Sequence, residues 1–337
     1  MITKGIQKAV EGENLTSNEA RAVMEQIMNG EATDAQIGGF LVAMRMKGET
    51  VEEITAFTQV MREKATHIDP GKRKDVLDTC GTGGDRAHTF NISTVAAFVA
   101  AGAGIAVAKH GNRSVSSQCG SADVLKELGI NIDITPERVS ECLQQVGIAF
   151  LFAPKLHSSM KYAIGPRREL GIRTFFNILG PMTNPAGANR QLIGVYSADL
   201  VDKMAGVLAE LGSVRAFVVH GCDGLDEITT TRETIIAEVR NGLVLVSTIN
   251  PGDFGVERSF PGSLTGGDAA ENAVIFRSVL SGEKGPKRDI VLLNSAFAIC
   301  AGGRAESPEE GIEMARESID SGNAMNKYEA LKEFTNS

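Results

Sequence analysis

Apolar residues along the first 66 positions recur at helical spacing, as in Ile37, Phe40, Leu41 and Met44, with polar residues between them. Three capping boxes cut this stretch into helices: Thr16 with Glu19, Thr33 with Gln36, and Thr50 with Glu53. Gly30 and Gly48 mark the first two exits. The pattern predicts three opening helices in a small all-helical unit, with Met24, Met28, Met44 and Met46 either filling its core or lining a dimer surface.

After His67-Ile68-Asp69-Pro70-Gly71 the period changes, and short apolar strands alternate with helices, the signature of a mostly parallel sheet. Strands are predicted at 76–77, 105–108, 148–152, 191–197 and 215–220. Helices are predicted at 91–101, 121–128, 136–146 (capped by Thr135) and 199–212. Residues 234–240 and 243–248 read as a hairpin closed by Asn241-Gly242, a type I′ turn signal. Residues 266–335 read as mainly helical. The expected fold is therefore α/β: an N-terminal helical domain over residues 1–70, and a larger domain with a mostly parallel central sheet over 71–161 and 190–337. The Gly- and Pro-punctuated stretch 162–189 interrupts the alternation and is read as a helical segment crossing back to the first domain.

Composition narrows the function. The chain has 337 residues, and 34 basic against 42 acidic side chains leave a net charge of −8. That balance argues against a general nucleic-acid or membrane-surface binder, which relies on a summed positive field. The five cysteines are scattered and form no C-x-x-C pair, so neither a disulfide framework nor a zinc site is implied and a reducing cytoplasm is expected. The first residues lack the apolar core of a signal peptide. The longest apolar run, Val95 to Ala108, is shorter than the roughly 18 residues of a membrane span and contains Gly102 and Gly104.

Two segments at strand ends are suited to phosphate. Asp78-Thr79-Cys80-Gly81-Thr82-Gly83-Gly84-Asp85 offers unhindered backbone N–H groups and leads through Thr89-Phe90-Asn91-Ile92-Ser93-Thr94 into a helix. It matches neither the dinucleotide fingerprint, since Arg86 stands where a third glycine is required, nor the Walker A pattern. Read without a ligand, it is a tight turn with Ser93 or Thr94 as a helix cap. The second segment, Lys109-His110-Gly111-Asn112-Arg113-Ser114-Val115-Ser116-Ser117, joins two cations to hydroxyl donors just before a helix starting near Ser121. Asp226 and Glu227 follow the strand ending at His220 and suit Mg²⁺, although the same residues read equally as exposed acids beside an Asp-Gly turn. Arg167 and Arg168 read as surface residues, and neither His110 nor His157 has a carboxylate or cysteine partner nearby in sequence.

Taken together, Asp78-x-x-Gly81-Thr-Gly-Gly-Asp85, Thr89 to Thr94, Lys109 to Arg113, Gly120-Ser-Ala-Asp-Val-Leu125, Arg173 to Asn177, Leu179-Gly-Pro181 and Asn184-Pro-Ala186 resemble the anthranilate phosphoribosyltransferase family nearly end to end. The resemblance implies a nucleoside-phosphorylase-like arrangement, with a helical domain that forms a homodimer and an active-site cleft beside an α/β domain. It implies 5-phosphoribosyl 1-pyrophosphate and anthranilate as substrates, Mg²⁺ as cofactor, and N-(5-phosphoribosyl)anthranilate and pyrophosphate as products. By the same resemblance, Gly81, Gly84, Asp85, Thr89, Asn91, Ile92, Ser93 and Thr94 would surround the phosphoribosyl pyrophosphate. Lys109, His110, Gly111, Asn112 and Arg113, together with Ser114, Val115, Ser116, Ser117 and Ser121, would complete that site. Ser93, Asp226 and Glu227 would serve the metal, and Gly81, Asn112 and Arg167 would face anthranilate. The sequence departs from the family pattern at Arg86, at Ser158-Ser159 after His157, and at Cys119. Two rivals remain: a pyrimidine nucleoside phosphorylase of the same fold, and a non-catalytic nucleic-acid-binding relative.

Overall fold

The computed structural model describes residues 1–85, 87–113 and 118–337. It opens with four helices, α1 (Ile2–Val10), α2 (Ser17–Met28), α3 (Asp34–Lys47) and α4 (Val51–Lys64). The three predicted capping boxes are all formed, with Thr16, Thr33 and Thr50 each accepting from the backbone three residues on. Helix α1 has no side-chain cap, which is why its start carries no local signal.

The α/β region runs β1 (Leu77–Gly81), α5 (Ile92–Gly102), β2 (Val107–Gly111), α6 (Ser121–Glu127), α7 (Pro136–Gln145) and β3 (Ile148–Phe152). Short helix α8 (Ala153–Leu156), α9 (Lys161–Leu170) and α10 (Phe176–Leu179) follow, with 3-10 turns between them. The chain then forms β4 (Arg190–Gly194), α11 (Asp199–Glu210), β5 (Arg215–Gly221), β6 (Thr234–Arg240) and β7 (Leu243–Ile249). Helices α12 (Ala269–Leu280), α13 (Pro286–Ala301), α14 (Pro308–Asp320) and α15 (Asn323–Asn336) complete it. Helix α9 packs on α3 and α2, and α10 on α4, so the segment after β3 does return to the helical unit.

Among the described residues one seven-stranded sheet forms, in the order β3-β2-β1-β4-β5-β6-β7. The strands from β3 to β5 are parallel, and β6 and β7 add as an antiparallel hairpin. Asn241 and Gly242 turn that hairpin with φ of 52° and 77°, as the type I′ signal requires. Alternation along β4 and β5 separates two apolar cores: Leu192, Phe217 and Val219 face α5 and α12 to α15, whereas Ile193, Ala216 and Val218 face the other side. That second core runs without a break through α11 into Phe40, Phe57 and Met24 of the helical unit.

The strand order reverses between β1 and β4, because the chain builds outward to β3 and then returns to the far side of β1. Open parallel sheets bind ligands in the crevice beyond the strand C-termini at such a point. The glycine segment after β1, Lys109 to Arg113, the end of β4 and the acidic residues after β5 lie at those C-termini.

Candidate active site

The site is built where β1 and β4 end. Gly81 and Gly194 pair across these strands, and a side chain at either would collide with Asp226 as it lies, with its carboxylate at Gly81 and with its backbone at Gly194. A Cβ on Gly194 would stand 1.5 Å from the Asp226 carbonyl oxygen, and one on Gly81 would stand 2.5 Å from Asp226 Oδ2. The two glycines therefore let the acidic loop after β5 settle directly on the sheet edge. The Gly83 N–H donates to Asp226 Oδ2 at 2.7 Å, and the Ser93 N–H at the start of α5 donates to Glu227 Oε1 at 3.1 Å.

Glu227 thereby replaces the local cap expected from Ser93 or Thr94. The N-cap residue is Asn91, and no side chain of its own segment caps the helix. A carboxylate at a helix N-terminus interacts favourably with the helix dipole. Two N–H groups expected to meet phosphate are thus held by the protein's own anions. Burial, repulsion from Asp85 and a hydrogen bond to it raise the Asp226 carboxyl to about 7, against the pull of the Gly83 N–H. Burial and repulsion from Asp226 raise Glu227 to about 8, against the attraction of Lys109.

Lys109 supplies the nearby positive charge. Its side chain leaves β2 on the α5 side, where Nζ donates to the Thr79 carbonyl and lies 3.4 Å from Ser93 Oγ. Burial lowers its pKa, and the charge of Asp78 opposes that loss. Asp78 is fully buried and accepts from the His110 N–H at 3.0 Å and from Asn184 Nδ2 at 2.9 Å. Burial still raises its pKa to about 6.

The remaining residues of the expected set divide by environment. Gly84, Asp85 and Thr89 lie on the chain between β1 and α5, with Thr89 forming an isolated bridge to Thr265. Asn91 ties the site's base together, donating to the Cys119 carbonyl at 3.1 Å and accepting from Asn272 at 3.2 Å. Ile92 and Thr94 are buried, so Ile92 offers only backbone, while the Thr94 hydroxyl has no partner among the described residues. Gly111 has no room for a Cβ, which would meet Ser121 Oγ at 2.3 Å and the Phe150 ring at 2.6 Å. The Asn112 carbonyl accepts from the Ala122 N–H at 3.2 Å and from Ser121 Oγ at 3.3 Å, which fixes the end of β2 on α6. Arg113 is exposed. Ser114, Val115, Ser116 and Ser117, like Arg86, lie outside the described residues.

His110 follows Lys109 on the strand, so its ring takes the opposite face. There its Nε2 meets His157 Nε2 at 3.2 Å, both rings being buried. The partner missing from the local sequence comes from 47 residues away. Burial and the neighbouring His157 lower His110 to about 3, and burial lowers His157 to about 4. Unfolded histidine takes up a proton near about 6.5, so below that pH the unfolded chain binds more protons than the native one and stability falls. The expected outcome is a midpoint of urea unfolding that drops steadily between about pH 6.5 and 3, with up to about 1.4 kcal/mol per pH unit from each ring. His157→Gln should flatten this dependence, and an unchanged slope would remove the pair as its cause.

Arg167 is half-buried on α9, its guanidinium 5.1 Å from the centre of the Phe176 ring. Among the described residues its guanidinium has no hydrogen bond or ion pair, and burial alone lowers its pKa. Its partial burial departs from the surface position read from the sequence, whereas Arg168 is exposed as expected. Sequence reasoning gave no individual role to three residues of this region: Thr82 and Arg173, which it quoted only within longer motifs, and Tyr196, which it passed over. Arg173 donates to the Gly84 carbonyl and lies over the Tyr196 ring at 3.9 Å. A guanidinium and a ring far apart in sequence give no local pattern to find.

Comparison with known proteins bears on this geometry. A family model described as the glycosyl transferase family, a/b domain, matches residues 73–325, and one described as its helical bundle domain matches residues 4–65. A protein of Pelobacter propionicus named anthranilate phosphoribosyltransferase is 57% identical over 99% of both chains, and one of Pelotomaculum thermopropionicum with the same name is 58% identical over 99% of this chain and 97% of that one. The crystal structure of anthranilate phosphoribosyltransferase from Thermus thermophilus superposes with a TM-score of 0.94 at 42% identity, covering 99% of each chain. The Saccharomyces cerevisiae enzyme of that name, in complex with PRPP and Mg, gives 0.88 at 28% identity over 99% of this chain and 98% of that one.

Proposed function

The chain belongs to the glycosyl transferase family whose members include the anthranilate phosphoribosyltransferases, and from that premise we propose how its residues carry out the reaction. The chain transfers the phosphoribosyl group of 5-phosphoribosyl 1-pyrophosphate to anthranilate, giving N-(5-phosphoribosyl)anthranilate and pyrophosphate. The observation that carries the assignment of roles is the cluster of buried Lys109 with half-buried Asp226, Glu227 and Ser93 at the sheet's switch point.

In this reading the pyrophosphate lies over the end of β1 and the start of α5, between Gly81, Gly84, Asp85, Thr89 and the 91–94 turn on one side and Lys109 to Arg113 with Ser121 on the other. Displacement at the ribose C1 leaves charge on the departing pyrophosphate, and the Lys109 ammonium, held in a dry site, stabilises it as it develops. Anthranilate's amine is uncharged at neutral pH, so no strong base is required, and the chain's main task is to align two reactants. Arg167, half-buried with no anion of its own, would take the anthranilate carboxylate, and Gly81 and Asn112 would border the ring.

Mg²⁺ fits the acids present. It prefers oxygen ligands and commonly takes one or two carboxylates plus substrate phosphates. Asp226 and Glu227 repel each other, and their raised pKa values mark a negative pair that a divalent cation would relieve. Among the described residues no three His, Cys, Asp or Glu side chains form a ready-made cage, so the pyrophosphate would complete the ligand set. Asp226, Glu227 and the Ser93 hydroxyl would hold the ion, which when bound supplies neutralising charge to the leaving group.

A homodimer through the helical unit also belongs to this proposal. Val10, Met46 and Ile164 are exposed on α1, α3 and α9, which pack in that succession. Among the described residues, no helix is long and apolar enough to cross a membrane.

Loss of anthranilate fluorescence on adding phosphoribosyl pyrophosphate and Mg²⁺ tests the reading directly, with EDTA expected to stop the reaction. Arg167→Ala should raise KM for anthranilate by about 10–100-fold, the weight of a charge-assisted hydrogen bond, with KM for phosphoribosyl pyrophosphate nearly unchanged. Equal effects on both substrates would refute the assigned role of Arg167.

A further inference from the structure

Arg173 is not among the residues assigned to either substrate, yet it joins the helical unit to the glycine loop. It lies beside Thr174 and Phe175, which are buried. The Phe175 ring stacks on Phe57 at 4.6 Å and meets Phe40 edge-on at 6.0 Å, inside the core shared with α3 and α4. The Thr174 N–H is fixed by Asn177 Oδ1 at 3.0 Å. From this anchored segment the Arg173 guanidinium reaches across to the β4 end, lies over Tyr196, and donates to the Gly84 carbonyl.

The loop is adapted to this contact. Gly84 has φ of +79°, and a Cβ there would stand 2.8 Å from the Arg173 guanidinium nitrogen. Thr82 is held in turn, its N–H donating to the Gly194 carbonyl at 2.9 Å and its Oγ1 accepting from the Tyr196 N–H at 3.1 Å. Between these two fastenings the Gly83 N–H holds Asp226. The Gly84 end of the loop is therefore held by one planar cation seated on one ring.

We propose that Arg173 is a positioning residue, which sets the Gly83-Gly84 backbone, and through it Asp226, in register with the segment that carries Arg167. The assignment rests on the transferase reading above. It requires the shape of arginine as well as its charge, because lysine has no planar fork to stack and donate at once. A group that acts by orientation moves the rate and the affinity for the substrate held by the loop, since misplacement by about 1 Å costs up to about 100-fold.

The experiment uses the full chain in two arms. In the first, without substrate, amide exchange is followed at Thr82 and Gly83 in the wild type and in Arg173→Ala, Arg173→Lys, Tyr196→Leu and Tyr196→Phe. Exchange should quicken by about 10-fold or more in Arg173→Ala and Tyr196→Leu, because local opening becomes easier, and stay near wild type in Tyr196→Phe, which keeps the ring. In the second arm, steady-state kinetics should show KM for phosphoribosyl pyrophosphate raised and kcat lowered by about 10–100-fold in Arg173→Ala, with Arg173→Lys recovering little. Unchanged exchange in both Arg173→Ala and Tyr196→Leu overturns the fastening whatever the activity. Faster exchange with kinetic constants within about twofold of wild type, or full rescue by lysine, overturns the positioning role. A wild-type chain with no transferase activity refutes the parent reading instead and leaves the exchange arm interpretable. Should Arg173→Ala fail to fold, the Tyr196 pair decides both arms.

Discussion

Replacing Lys109 with methionine is expected to lower kcat/KM by about 100–1000-fold, the cost of removing one preorganised group from a developing negative charge. The same change should also lower stability, because Asp78 and Glu227 lose the cation that opposes the cost of their burial. The two effects separate by experiment. Urea unfolding reads the second, and turnover of the fraction that remains folded reads the first. A variant that loses stability yet turns over at the wild-type rate would reduce Lys109 to a structural counter-charge and withdraw its proposed role at the leaving group.

Glu53→Gln is expected to be the most destabilising single change in the helical unit. Glu53 is fully buried and accepts from the Leu15 and Thr50 N–H groups and from Lys47 Nζ, each at 2.8 Å. The Lys47 side chain is itself only 3% exposed. Removing the negative charge leaves a buried ammonium with neutral acceptors alone, the glutamine's own amide oxygen and, at 2.9 Å each, Asn14 Oδ1 and the Gly48 carbonyl. Breaking a buried pair from one side costs about 3–5 kcal/mol, and urea unfolding should show it. A loss below about 0.5 kcal/mol, the range of ordinary surface changes, would mean that water reaches Lys47 in the native state.

The contrast between Glu53 and Lys109 shows what was legible in the sequence. Glu53 was readable as the partner of Thr50 in the third capping box, and the structure forms that box. Its second role, accepting from Leu15 across 38 residues, was not readable. Strand β3 falls where its unbroken apolar run places it, whereas β1 and β2 extend through Asp78, Thr79, Lys109 and His110, which the pattern leaves outside. Those polar side chains are tolerated within central strands because they find partners at long range. Asn184 reaches Asp78 from 106 residues away, Ser93 and the Thr79 carbonyl receive Lys109, and His157 meets His110. The candidate site was legible where glycine, cation and acid clusters lie along one segment. It was illegible where Arg173 and Tyr196 complete it, since neither has a neighbour in sequence that betrays its partner.

The glycines at the ends of β1 and β4 have a consequence for redesign. Because Asp226 rests where two missing side chains would be, the depth of the acidic loop is set by the sheet and not by the loop's own residues. An engineer could exchange Asp226 or Glu227 to favour a different cation, yet the loop backbone would keep its distance from the strand ends. Altering reach would mean rebuilding Gly81 and Gly194 together, so ion preference and substrate length are separately tunable in this scaffold, the first by point substitution and the second only by resculpting paired strands.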